Sequence, residues 1–241
     1  MTQTKVNQSA ARREIAIIGG TGEQGFGLAL RWAQAGERIL IGSRDKDKAK
    51  RAAQKLRQAV DNERANVEGV ENGEAISRAK TIVLTVPFAA QAMILKGVKK
   101  NFKGEDLLID ATVPLETAFG GQATRVFTPW LGSAAEQAAE LVPPGVTVVS
   151  AFHHVGANVL QDLSQKINCD IIVCGNSREA KESVKALIKL IPGAGFVDGG
   201  PLENSRIVGA LTALLISINI RYKVKNSGIR ITGLNEQTNG E

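Results

Sequence analysis

Residues 15–27 read Ile15-Ala16-Ile17-Ile18-Gly19-Gly20-Thr21-Gly22-Glu23-Gln24-Gly25-Phe26-Gly27, a short apolar run feeding a turn of the form G-x-G-x-x-G. An apolar run followed by such a turn reads as strand, tight turn and helix. Gly20 is expected to allow the turn, Gly22 to let backbone N–H groups approach a ligand, and Gly25 to let the helix pack on the strand. Leu28, Ala29, Leu30, Trp32 and Ala33 continue with helical rather than alternating spacing. A helix N-terminus reached through glycines attracts anions, and this pattern fits the pyrophosphate of a dinucleotide.

The next apolar run, Arg38-Ile39-Leu40-Ile41-Gly42, leads to Ser43 and Arg44. A site for a dinucleotide without a 2′-phosphate usually carries Asp or Glu at this point. A hydroxyl beside a guanidinium, with Lys48 one helical turn on, suits a 2′-phosphate instead. Each charge-assisted hydrogen bond contributes roughly 1.5–3 kcal/mol before solvent screening, so two or three separate NADP from NAD. The plainer reading makes Arg44, Lys46, Lys48, Lys50 and Arg51 the solvated face of an ordinary helix.

Further along, periodicity predicts strands over 15–18, 38–42, 81–86, 107–110, 146–151, 170–174 and 195–198, with an additional one over 66–70. Helical patterns fall over 45–60, 91–98, 133–141, 178–191 and 204–222. Most of these strands are continuously apolar, as parallel strands buried on both faces are. The expected fold is therefore α/β, a doubly wound Rossmann-type parallel sheet with a smaller C-terminal α/β portion. A boundary near Phe152 divides a nucleotide-binding unit, 1–152, from a smaller unit, 153–241, that completes the substrate cleft.

Bulk properties narrow the partners. With 241 residues, 43% of them hydrophobic, the chain can bury a substantial core. Its net charge of +6 is not accompanied by aromatic residues interleaved with basic ones, which argues against nucleic acid and for anionic small-molecule coenzymes. Cys169 and Cys174 are five apart across a strand, so they point to opposite faces and read as structural thiols of a reducing cytoplasm. The apolar stretch 207–220 is too short to cross a bilayer and reads as a buried or interface helix, the face of a homodimer. Residues 1–12 lack the apolar stretch of a signal peptide, and 235–241 are polar and expected to fray.

Ligands of doubly wound sheets sit beyond the carboxyl ends of the strands. There the chain places Pro87 and Phe88, the segment 111–114, and Ala151-Phe152-His153-His154-Val155-Gly156-Ala157 with both of its histidines. Adjacent histidines do not converge on one ion, so no metal is expected; proton transfer or ring positioning by His153 is the better reading. No nucleophile elbow, H-E-x-x-H or Walker lysine is present, which leaves hydride transfer rather than hydrolysis or phosphorylation.

Seven segments together carry a resemblance: Gly19-Gly20-Thr21-Gly22, Gly42-Ser43-Arg44 with Lys48, residues 84–87, 132–136, 149–153, 173–175, and 199–202 with 204–206. They resemble the NADPH-dependent coenzyme F420 reductases, or F420H2:NADP oxidoreductases, over nearly the whole chain. That resemblance implies direct hydride exchange between C4 of the nicotinamide of NADP(H) and C5 of the deazaflavin F420, stacked face to face. It also implies that Thr21, Gly22, Glu23, Gln24, Ser43, Arg44 and Lys48 hold NADP, with Pro87 and Phe88 nearer the ring, Ala157 where the rings meet and Gly228 approaching one of them. Arg221, Lys223, Lys225 and Arg230 would meet an acidic deazaflavin tail. Departures are Phe88 in place of Trp, Gly156 in place of Pro, His154 in place of a smaller residue, and a longer, more aromatic segment over 117–130. Two other functions fit the cofactor half: an NADPH-dependent reductase of a flavin or another acceptor, and a non-catalytic NADP-responsive binding protein.

Overall fold

Eight strands in the order β3-β2-β1-β4-β5-β6-β7-β8 form one sheet, which a computed structural model shows for residues 13–62 and 65–234. The expectations for residues 1–12 and 235–241 lie outside the described residues. The strands are β1 (Glu14–Ile18), β2 (Arg38–Ser43), β3 (Asn66–Glu71), β4 (Thr81–Leu84), β5 (Leu107–Asp110), β6 (Thr147–Ser150), β7 (Cys169–Gly175) and β8 (Ala194–Asp198). The helices are α1 (Glu23–Gln34), α2 (Lys46–Ala59), α3 (Asn72–Arg78), α4 (Phe88–Val98), α5 (Ala134–Leu141), α6 (Ala157–Gln161), α7 (Arg178–Ile188) and α8 (Ser205–Tyr222).

Alternation within the strands sorts the core into two layers. Ile15 and Ile17 of β1 face α1, α2, α6 and α7, while Ala16 and Ile18 face α3, α4 and α5. Each fully buried Ile or Leu here contributes roughly 1.5–3 kcal/mol, and both faces are covered, as the unbroken apolar runs require. On β7 the same alternation sends Cys169 to the first layer and Cys174, with Ile172, against Val208 of α8. The two thiols are free and buried, and burial pushes the Cys169 thiol up to about 11.

The sheet is the expected, mostly parallel α/β one, with a single exception. Strands β1 to β6 are parallel, but β7 runs antiparallel to β6, with Ser150 opposite Cys174. The reason lies in the connection. A parallel return needs a crossover that carries the chain back along the sheet, whereas the link from β6 holds only the five-residue α6. The chain stays at the rim where β6 ended, so β7 starts there and runs back. The predicted boundary at residue 152 falls in this connection, between two strands of the same sheet.

Helix ends follow local chemistry. Asp45 caps α2 by accepting from Asp47 N and Lys48 N, both at 3.0 Å, and Ser133 and Ser177 cap α5 and α7. Helix α7 stops at Ile188, earlier than its apolar pattern, because Pro192 and Gly193 follow and the chain turns at Gly193 with φ 83°. Helices α3 and α6, seven and five residues long, are too short to impress a 3.6-residue period on the sequence.

Candidate functional site

The sheet reverses its strand order between β1 and β4, and the turn after β1 opens there. Its left-handed residue is Gly19, with φ 84°, rather than Gly20 as the motif suggested. Gly19 stands where the chain leaves β1, and its N–H still reaches Gly42 O at 3.3 Å. Gly20 serves packing instead: a Cβ there would lie 3.0 Å from Ile17 O and 3.1 Å from Ile41 Cδ1. Gly25 performs the predicted task, because its Cβ would fall 2.4 Å from Thr85 Oγ1 and 2.9 Å from Gly19 O. Gly22 differs from all three. A Cβ there would meet only Gly19 O, at 3.3 Å, so the bare backbone faces open space. Gly22 also caps α1 with no side chain, which leaves the N–H groups of the first turn to an anion.

A cavity of about 260 Å³ lies against that turn, lined among others by Thr21, Gly22, Ser43, Arg44, Lys48 and Pro87. Arg44 and Lys48 are exposed and form no ion pair among the described residues, so two uncommitted cations border it. Ser43 Oγ accepts from Asp45 N at 3.2 Å, and its own hydrogen remains available. Sequence reasoning missed Asn72, buried on the same wall with an Oδ1 that has no partner. Only its place at the start of α3, directly after β3, could have marked it. Glycines, hydroxyl and cations fit a phosphorylated dinucleotide.

The remaining site residues spread along the rim. Glu23 is exposed at the start of α1; Gln24 turns inward and donates from Nε2 to Phe152 O at 2.7 Å. Phe152 is fully buried and left-handed, with φ 69°, a conformation that costs a bulky residue about 1–3 kcal/mol. Trp32 packs edge-on against it at 5.6 Å between ring centroids. This strained residue sets the direction of His153, which lines a second cavity of about 170 Å³. Burial first, then the neighbouring His154, push the His153 ring down to about 4, so it is neutral at pH 7. Its Nδ1 has no hydrogen-bond partner, and Thr212 Oγ1 donates to its carbonyl at 2.9 Å.

Phe88 begins α4 half-buried and packs on Phe127 at 5.3 Å, which ties it to the aromatic segment after β5. Ala157 is the first residue of α6, which α1 approaches closely: a Cβ on Gly27 would lie 2.6 Å from Leu160 Cβ. Gly228 lies against Cys169, where a Cβ would come within 2.8 Å of the cysteine Cβ. Arg230 differs from its three cationic neighbours, because it binds Asp170 Oδ1 at 2.7 Å and anchors the C-terminal segment to β7. Arg221, Lys223 and Lys225 remain exposed.

The second cavity was not anticipated. The ends of β5 and β6 supply Asp110, Ser150 and His153, while α5 and α8 bring Ser133, Ser205 and Arg206. Asp110 closing the run Leu107-Leu108-Ile109 was the available signal, an acid at the buried end of an apolar strand. Among the described residues, no group of three His, Cys, Asp or Glu is placed to hold a metal ion, and no helix is long and apolar enough to cross a membrane.

A cavity at the point where strand order reverses, walled by a glycine turn, places the chain among the dinucleotide-binding α/β proteins. Residues 14–114 match the family model described as NADP oxidoreductase, coenzyme F420-dependent. The F420-dependent NADP reductase of Methanothermobacter thermautotrophicus is 44% identical over 225 residues, 93% of this chain and 97% of its own length. That of Methanocaldococcus jannaschii is 44% identical over 92% of this chain and 99% of its own. This chain belongs to the coenzyme F420-dependent NADP oxidoreductase family. A crystal structure from Arthrobacter sp. FB24, provisionally named an F420-dependent NADP reductase, shares its fold with a TM-score of 0.76 at 23% identity, over 90% of this chain and 98% of that one.

Proposed function

We infer that the chain exchanges a hydride directly between NADP(H) and coenzyme F420. The observation that carries this reading is the pair of uncommitted cations, Arg44 and Lys48, beside Ser43 on a cavity whose other wall is a bare glycine backbone. NADPH, when bound, supplies the hydride from its nicotinamide; the chain's own residues bind and orient. Ser43, Arg44 and Lys48 read the 2′-phosphate, and the backbone of Thr21, Gly22, Glu23 and Gln24 holds the pyrophosphate at the positive end of α1. Pro87 and Phe88 wall the nicotinamide, Ala157 lies where the two rings meet, Gly228 approaches one of them, and neutral His153 helps to position the second ring. Holding two reacting carbons in a near-attack geometry removes much of the entropic barrier without a covalent intermediate.

In this reading residues 1–152 hold the nucleotide and 153–241 complete the cleft. The protein is a homodimer of the cytoplasm, a view supported by two free buried thiols and by the apolar side chains Ile207, Leu214 and Ile220, 70%, 55% and 67% exposed on α8. The test is a steady-state assay with NADPH or NADH against F420 and free flavins. NADPH-linked reduction of F420 in preference to flavins is expected. Turnover with flavins alone would give the flavin-reductase reading, and NADPH binding without any turnover would make the chain a binding protein.

A further inference from the structure

Strand β5 ends on a carboxylate that nothing balances. Asp110 pairs in register with Ser150 of β6, and both line the second cavity beside His153. Only 1% of Asp110 is exposed, and no cation lies within ion-pair distance of it among the described residues. The charged groups on surrounding elements are occupied elsewhere. Glu136 of α5 and Arg206 of α8 bind each other at 2.6 and 2.9 Å, and Glu116 and Arg125 in the segment after β5 pair at 3.9 Å. His153 is neutral, and α4 presents Gln91.

Hydrogen bonds converge on the carboxyl from one side. Gln137 Nε2 donates to Gln91 Oε1 at 2.8 Å, Gln91 Nε2 donates to Thr112 Oγ1 at 2.7 Å, and Thr112 Oγ1 lies 2.9 Å from Asp110 Oδ1 and 3.1 Å from Oδ2. The Thr112 oxygen already accepts, so its single hydrogen turns to the carboxyl. Gln91 Nε2 also stands 3.2 Å from Oδ1. Beyond Thr112, Oδ2 has no partner among the described residues, and a proton held there has only the cavity to donate into. Burial pushes the Asp110 carboxyl up to about 7, against the downward pull of Thr112 and Gln91.

We propose that Asp110 holds the proton that accompanies the hydride to and from the second substrate. The inference rests on the F420 reading above. Reduction of the deazaflavin by NADPH moves two electrons and one hydrogen as hydride and takes up one further proton. The Asp110 O–H bond breaks, an N–H or O–H bond forms on the reduced ring, and water at the cavity mouth reprotonates the carboxylate. In the reverse direction the carboxylate accepts that proton.

Infrared spectroscopy of the ligand-free protein tests the first half without turnover. A carboxylic-acid C=O band that disappears as pH rises through about 7 is expected, and it should be missing from Asp110→Asn. In the reduction of F420 by NADPH, the same variant should lower kcat about a hundredfold, lose the alkaline fall of the native profile, and leave the KM for NADPH unchanged. Asp110→Glu should recover part of the rate. Thr112→Val, which removes a donor to the carboxylate, should move both the band and the alkaline limb to higher pH. A native rate and profile in Asp110→Asn, or an unmoved limb in Thr112→Val, would overturn the proposal while F420 turnover still stood. Failure of the native protein to reduce F420 would instead remove the functional reading, and this inference with it.

Discussion

The two cavities at the rim of the sheet, which the proposed function gives to the nucleotide and to the acceptor, are built in different ways. Around the glycine turn the cavity is lined by the turn itself (Gly19, Thr21, Gly22), by Ser43, Arg44 and Lys48 after β2, and by Asn72 and the segment 85–94. Around Asp110 the lining is side chains gathered from β5, β6, α5 and α8, with partners as distant in sequence as Ser133 and Ser205, whose hydroxyls meet at 2.7 Å. The first half is sterically tight at Gly20 and Gly25, where a methyl group would meet neighbouring atoms, and the second gathers buried polar groups that are only partly paired, Asp110 and His153 among them. Substitutions should therefore fail for steric reasons in one half and for electrostatic reasons in the other.

The sharpest contrast is expected at Gly25. A methyl group there would press on Thr85 Oγ1 at 2.4 Å and on Gly19 O and Gly20 Cα at 2.9 Å, two of them backbone atoms that have nowhere to go. Gly25→Ala should displace α1 from the turn, abolish NADPH binding in calorimetry, and lower the thermal midpoint markedly. Native-like NADPH affinity in this variant would show that the turn is pliable and that the steric account of this half is mistaken.

Next in size is Arg44→Ala. Removing one charge-assisted contact to the 2′-phosphate costs roughly 1.5–3 kcal/mol, so the KM for NADPH should rise between about tenfold and a hundredfold while that for NADH changes little. Equal changes for both nucleotides would make Arg44 an ordinary solvated cation ahead of α2.

How much of this was legible in advance follows from the same division. The strand-turn-helix at β1, the cations after β2 and the strand alternation were all readable, because each depends on residues a few positions apart. Gly19 rather than Gly20 as the left-handed residue was not, since a run of two glycines leaves the choice to the hydrogen bond with Gly42 O across the sheet. The reversal of β7 was hidden as well, because an apolar run reads the same in either direction and only the short α6 decides it. Asp110 and its chain through Thr112, Gln91 and Gln137 escaped for a third reason: no spacing rule links residues brought together by the end of one strand and two helices. Arg230 looked like a ligand cation and is a strut, which only its partner Asp170 reveals.

The acceptor half has a pH signature of its own. The folded-state value of Asp110, about 7, lies above the unfolded one. Its contribution is thus fully present below about pH 4, the unfolded range, and is lost as pH rises through 7. His153 acts in the opposite sense: its folded value, about 4, lies below the ordinary one, so its contribution is present above about 6.5 and lost on acidification. The difference between native protein and Asp110→Asn isolates the carboxyl. Relative to the native chain, the variant should gain a few kcal/mol between pH 4 and pH 7 in denaturant titrations. A constant difference across that range would mean that Asp110 is ionised and balanced by a group in the cavity.

The smallest effect bears on the seam between the halves. Gln24 was expected to hold NADP, yet its amide nitrogen donates to Phe152 O at 2.7 Å, directly before His153. That hydrogen bond contributes about 1 kcal/mol, equivalent to roughly 2–4 °C in thermal midpoint for a chain of this size. It also helps hold Phe152 in its left-handed conformation, so Gln24→Ala should relax the strain and let the His153 segment drift. A displacement of the order of 1 Å at a site that works by orientation lowers the rate without weakening the nucleotide. Gln24→Ala is accordingly expected to reduce kcat with F420 severalfold and to leave the KM for NADPH within twofold of native, about the precision of such a comparison. A raised KM for NADPH at unchanged kcat would assign the Gln24 side chain, like its backbone, to the nucleotide half and leave Trp32, edge-on to Phe152, as the chief restraint on the strained residue.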